Sequence, residues 1–267
     1  MPQFRPPPRQ ADRNAAAAVL AQLTAGQRVP TNTRDLIADA GGTRASAGVL
    51  GKSQRQMQRW ARGEVHHLPA DAVRRLTQAG NTSRMNRVIR ELGGAKRVAE
   101  LTGRHVSTVR DWASGRIKMP KPDARQKLGR ADVAIRMKDK GVSVDPATGL
   151  VDRPVYVKLT GDVRVKGSSK SLDLPVVEGK NIGAWGGINV SADTMRDIVD
   201  ALGVGNYRAA HEALEAWLTG NYASGEGAYD ANRGIGLFID RIDTVAFSHD
   251  RDATPPPRGP RNPANRT

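Results

Sequence analysis

Arginine and glutamine side chains crowd the segment SQRQMQRWAR, residues 53–62, in an order suited to reading base edges. A guanidinium can donate two parallel hydrogen bonds to guanine, and a carboxamide can bond adenine in the same bidentate way, each contact being worth about 1–3 kcal/mol of discrimination. With Met57 and Trp60 turned to a core, Gln54, Arg55, Gln58 and Arg59 face outward, flanked by Lys52, Ser53 and Arg62. A second segment, HVSTVRDWAS, offers His105, Ser107, Thr108 and Arg110, with Arg104 just before it; Asp111 weakens this face by repelling phosphate. Arg116, Lys118 and Lys121, around the PKPD turn, suit phosphate contacts that fix position without reading sequence.

These two segments occupy the same place in an internal repeat. Gly41 to Leu76 aligns without a gap on Gly93 to Leu128 at a constant offset of 52, matching Gly41 with Gly93, Ala47 with Ala99, Gly51 with Gly103, Trp60 with Trp112, Asp71 with Asp123 and Leu76 with Leu128. Apolar character is kept between Met57 and Val109 and, upstream, between Leu36–Ile37 and Val88–Ile89, with Thr33 and Ser83 as N-caps. The spacing is that of a helix-turn-helix. Ala47 and Ala99 let the first helix approach the second, Gly51 and Gly103 supply the left-handed backbone of the turn, and Met57 with Trp60, or Val109 with Trp112, lie three apart on the second helix's inner face. Ser46, Lys52, Thr102 and Arg104 are polar where apolar residues would seal the turn, and a plain helical bundle with glycine breaks is the alternative.

The charge follows the repeat. The chain carries a formal +15, and residues 31–140 hold 24 Lys and Arg against 10 Asp and Glu, whereas residues 141–247 hold 10 against 14. A polyanionic partner is therefore expected at the repeats. With no cysteine, disulfides and thiolate metal sites are excluded. HExxH, P-loop and GxGxxG patterns are absent, so no metal, nucleotide or other cofactor is expected. No apolar run reaches membrane-span length and the N-terminus lacks a signal-peptide core, so we expect a cytoplasmic, nucleoid-associated protein with no membrane partner.

Composition divides the chain into a basic proline-rich tail and short helix (1–30), a first helix-turn-helix unit (31–80), a second (81–140), a turn-rich linker (141–154), an α+β domain (155–248) and a disordered basic tail (249–267). The expected fold is a mainly α N-terminal half with two tandem helix-turn-helix units and an α+β C-terminal domain. Within the latter, VYVKLTGDVRVK reads as a hairpin about Gly161-Asp162, SADTMRDIVDALG and NYRAAHEALEAWL as amphipathic helices, and LFIDRIDTVAF as a closing strand. Asp240 and Asp243, three apart on that strand, fall on opposite faces, which argues against a nuclease centre.

GGAKRVAELTGRHVSTVRDWASGRIKMPKPDARQKLGRA, its lysine-rich continuation, the helical stretch after Ser191 and FIDRIDTVAF resemble the telomere-protecting terminal proteins of linear actinobacterial (Streptomyces-type) replicons, over roughly residues 85–248. The resemblance implies a protein that binds DNA ends with a telomere-associated partner and offers a side-chain hydroxyl to a DNA polymerase, remaining attached to the 5′ end. In that family the hydroxyl is a threonine after a glycine. Here the nearest match is Ser168 and Ser169 after Gly167, with Thr160 a second choice; serine replaces threonine, and family members carry one helix-turn-helix rather than two.

The reading is thus a double helix-turn-helix DNA-binding protein of a linear or mobile replicon, terminal-protein-like, a protein primer at most and not an enzyme. Its expected partners are double-stranded or end DNA, a telomere-associated protein and a polymerase. The alternatives are a transcriptional repressor or plasmid partition factor without covalent linkage, and a DNA-coating protein that forms homo-oligomers through the α+β domain.

Overall fold

A computed structural model of the chain describes residues 10–25, 33–64, 68–117, 120–166, 177–183, 187–221 and 236–252. Lys118, Ser168, Ser169 and the proline-rich stretches 1–9 and 253–267 lie outside the described residues. The described chain is mostly helical, with a small antiparallel sheet in its C-terminal part.

The repeat is built from α2 (Thr33–Asp39), α3 (Gly42–Leu50), α4 (Gln54–Ala61), α5 (Ala70–Glu91), α6 (Ala95–Thr102), α7 (Val106–Ala113) and α8 (Pro122–Lys138). Equivalent positions form two equivalent cores. Ala47, Met57, Trp60, Ala72 and Leu76 are buried together in the first, and Ala99, Val109, Trp112, Ala124 and Leu128 in the second. Gly51 and Gly103 end α3 and α6 with φ of 64° and 66°, in the left-handed region that a Cβ disfavours. Two of the polar residues at the turns, Ser46 and Thr102, are satisfied internally. Ser46 Oγ donates to Ile37 O at 3.3 Å and Thr102 Oγ1 to Val98 O at 2.7 Å, so both hydroxyls are buried without an unmet donor.

The expected boundary at residue 80 is not there. α5 runs unbroken through Asn81, Thr82 and Ser83, so Ser83 is an interior helical residue and not an N-cap. Its N-terminal half closes the first core through Ala72 and Leu76, and its C-terminal half opens the second through Val88. Sequence patterning marked two units and missed the sharing, because the polar Asn-Thr-Ser run has the look of a break while α5 is held on both sides by tertiary packing. α8 is shared in the same way: Ala124 and Leu128 belong to the second core, whereas Val133, Ala134 and Met137 belong to the C-terminal one.

That last core lies beneath a sheet of β1 (Val155–Lys166), β2 (Val177–Ile182), β3 (Ile188–Val190) and β4 (Gly236–Ser248). β1 is central, with β4 antiparallel along one edge and β2 and β3 end to end along the other. The hairpin expected at Gly161-Asp162 is instead one continuous strand with register shifts on either side of that pair. Gly161 is needed for a different reason: a Cβ there would stand 1.9 Å from Arg241 O of β4. Helices α9 (Ala192–Gly203), capped by Ser191 Oγ accepting from Thr194 N at 3.1 Å, and α10 (Tyr207–Asn221) cover the sheet with Met195, Ile198, Leu202, Leu214 and Leu218. Two α10 side chains satisfy backbone donors of β4: Glu215 Oε1 accepts from Ile239 N and Thr219 Oγ1 from Leu237 N, both at 2.8 Å.

Two further boundaries move. α1 (Gln10–Ala25), expected to stand apart, packs on β4 and α10 and buries Leu20 and Ala21 in the C-terminal core. The expected linker 141–154 buries Val142 and Val144, pairs Val144 with Val151, and is tied to the strand end where Ser143 N donates to His249 Nε2 at 2.8 Å. Residues 249–252, expected to begin a tail, therefore belong to the folded body.

Candidate nucleic-acid interface

α4 places Gln54, Arg55, Gln58 and Arg59 on its outer surface, all exposed, with Met57 and Trp60 beneath. Lys52, Ser53 and Arg62 are exposed on either side, and Ser53 Oγ also caps α4 by accepting from Gln56 N at 3.2 Å. On α7, His105, Ser107 and Arg110 are exposed and Thr108 half-buried; His105 caps the helix, its Nδ1 accepting from Ser107 N at 3.3 Å. Each second helix thus begins on a side-chain cap and shows polar side chains over a buried Trp.

The cations are not equally free. Glu64 sits after Gly63, whose φ of 82° turns the chain back toward α4. Its carboxylate accepts from Arg59 Nε at 2.6 Å and Arg62 Nε at 2.9 Å, and these two arginines hold its pKa below the ordinary value. Arg55 and Arg110 have no ion pair among the described residues. Asp111, expected to repel phosphate, is covered by an ion pair with Arg116, so the two charges offset each other locally. Arg104 is half-buried and pairs with Asp123 at the start of α8, where the Ala124 N–H and the Arg104 charge hold that carboxyl low. Lys121 is exposed at the same helix start, and Lys118 lies outside the described residues. The sequence carried a signal for the Glu64 clamp, an acid immediately beyond the helix-ending glycine, which the emphasis on outward arginines passed over.

Thr160 is the second-choice priming hydroxyl of the sequence reading. It lies half-buried within β1, paired with Asn181 on one side and Thr244 on the other. Ser168 and Ser169 are outside the described residues. Among the described residues no cluster of three His, Asp or Glu could hold a metal ion, and no helix is long and apolar enough to cross a membrane. Asp240 and Asp243 are separately engaged, by Arg164 at 3.2 Å and by Arg241 at 3.2 Å, and burial raises the Asp240 pKa.

The repeats are joined firmly to the C-terminal part. Arg130 of α8 grips Asp200 of α9 in bidentate fashion at 2.5 and 2.7 Å and donates to Ala147 O at 2.6 Å. Comparison with protein-family models, curated proteins and solved structures finds no match to this chain.

Proposed function

We propose that the chain is a double helix-turn-helix DNA-binding protein in which α4 and α7 are the reading helices. The observation that carries this reading is the equivalence of the two units: the same buried positions, the same left-handed glycine, and in each a second helix with exposed hydrogen-bonding side chains. In such a unit the N-terminal part of the second helix enters the major groove. Arg55, with Gln54 and Gln58, is the strongest base reader, Arg110 stands at the place of Gln58 in the second unit, and the exposed Lys52 and Lys121 contact phosphate. The concentration of positive charge in residues 31–140 supports the same assignment.

The test is the salt dependence of duplex binding. Wild-type protein is expected to bind duplex DNA with log K falling linearly against log salt, at about 0.9 per phosphate contacted. Glu64→Gln releases Arg59 and Arg62 and is expected to bind more tightly, with a slope steeper by up to about 0.9 for each arginine freed. A Glu64→Gln protein with unchanged affinity and slope would place these arginines away from DNA.

Within this reading, the narrower role at the ends of a linear replicon, with attachment through Ser168 or Ser169 and a telomere-associated partner, rests on the resemblance alone. Its signature is protein isolated from the host with DNA still attached in strong denaturant. The alternative within the same reading is a repressor or partition factor without covalent linkage, for which no DNA would survive the denaturant.

A further inference from the structure

Between the two repeats runs a groove of 860 Å³ that none of the reading residues lines. Its floor is α5 from Arg75 to Arg90; α2 and α3 flank it through Asp39, Ala45 and Val49, and the end of α7 flanks it through Ser114 and Gly115. Five arginines face it, Arg75, Arg84, Arg87, Arg90 and Arg136, against one carboxylate, Asp39. Three of them gather around a single buried carboxylate, Asp132, which is 1% exposed: Arg87 bonds it directly, with Arg136 at 3.1 Å and Arg84 at 3.8 Å.

One carboxylate cannot balance three guanidiniums. Arg136 has its pKa lowered first by burial and further by the charges of Arg87 and Arg84, against the opposing pull of Asp132. Arg87 also keeps a buried Nε–H without an acceptor among the described residues. The cluster is therefore in electrostatic deficit, and an anion would relieve it. The dimensions select the kind of anion. Arg75 to Arg90 spans about 22 Å of helix, the axial length of about six phosphates on one strand of duplex, and two readers entering successive stretches of major groove leave phosphate backbone between them.

We propose that this groove along α5 binds the phosphodiester backbone between the two readers' half-sites. The proposal rests on the DNA-binding reading and adds to it a clamp that reads no bases. Because α5 is common to both repeats, the clamp also sets the backbone at a fixed place relative to both reading helices.

The test uses the full chain and a duplex obtained by site selection. Arg75 and Arg90 are exposed, Arg75 donating to Val49 O and Arg90 pairing at the surface with Glu91 at 3.1 Å, and neither touches Asp132, so Arg75→Gln with Arg90→Gln removes two groove charges without unbalancing the buried carboxylate. The double variant is expected to lower the salt slope by about 2, to weaken all sequences alike and to melt as wild type. Ser83→Glu, which sets a negative charge on the exposed groove floor, is expected to weaken binding as well. Arg153→Gln with Arg251→Gln, an equal charge loss on exposed residues outside the groove, should leave the slope within 0.5 of wild type, a margin of roughly half a phosphate contact. If the two double variants lower the slope equally, or the groove variant keeps the full slope, the groove does not hold backbone although the DNA-binding reading stands. Pyrophosphate binding that is lost in the groove variant while duplex binding is unchanged would make this a small-anion site and overturn the proposal. Wild-type protein that binds no duplex at all would overturn the reading and the clamp together.

Discussion

Trp112→Ala is expected to destabilise the protein by about 3–5 kcal/mol, as is usual for a buried Trp or Phe truncated to Ala. Trp112 is 4% exposed on α7 and packs with Val88, Val98, Val109, Ala124 and Leu128, the residues that hold α5, α6, α7 and α8 together. With so few large side chains in that core, the cavity has little to collapse into it. Trp60, 8% exposed at the matched place, is expected to behave alike in the first repeat. Urea unfolding followed by circular dichroism measures both. A Trp112→Ala protein that lost DNA binding while keeping its wild-type midpoint would show that the indole contacts DNA and is not a packing residue.

Gly129→Ala should also destabilise, against the ordinary sign. Alanine replacing glycine inside an exposed helix gains about 1 kcal/mol. At Gly129 of α8, however, a Cβ would stand 2.0 Å from Gly203 O of α9, and one on Gly203 would lie 2.7 Å from Gly129 C. The two helices meet backbone to backbone, so the substitution must push α8 off α9 and strain the Arg130–Asp200 pair one residue on. A loss of about 1–3 kcal/mol, the usual range for overpacking, is expected. Gly48→Ala in α3, where a Cβ meets nothing within 4 Å, is the matched control and should stabilise. Both substitutions stabilising alike would mean that α8 and α9 are not in contact.

The repeat could be read from the sequence because packing demands recur at fixed spacing: Ala47 with Ala99, Gly51 with Gly103 and Trp60 with Trp112 occupy the same structural roles. What could not be read was how neighbouring units share elements. α5 and α8 each serve two cores, and no local pattern announces that the same helix will be packed on both sides. The placing of α1 in the C-terminal core depends on contacts between residues such as Leu20 and β4, more than 200 positions apart in the chain. Gly161-Asp162 misled because a glycine needed for close strand approach has the same letter as one needed for a turn. At the candidate interface the outward side chains of α4 and α7 were legible from helical periodicity, whereas the pairing of Glu64 with Arg59 and Arg62, and of Asp111 with Arg116, depended on how the chain turns after each helix.

The claim that the two repeats read DNA is tested most directly by selecting bound duplexes from a random library with the wild-type protein and with Arg55→Ala. Both units share α5, so the wild type should select two half-sites with one fixed spacing. Arg55→Ala should then relax preference by about 1–3 kcal/mol at one position of one half-site and leave the other half unchanged. No selected sequence from the wild type, or an Arg55→Ala protein with the wild-type preference at every position, would contradict it.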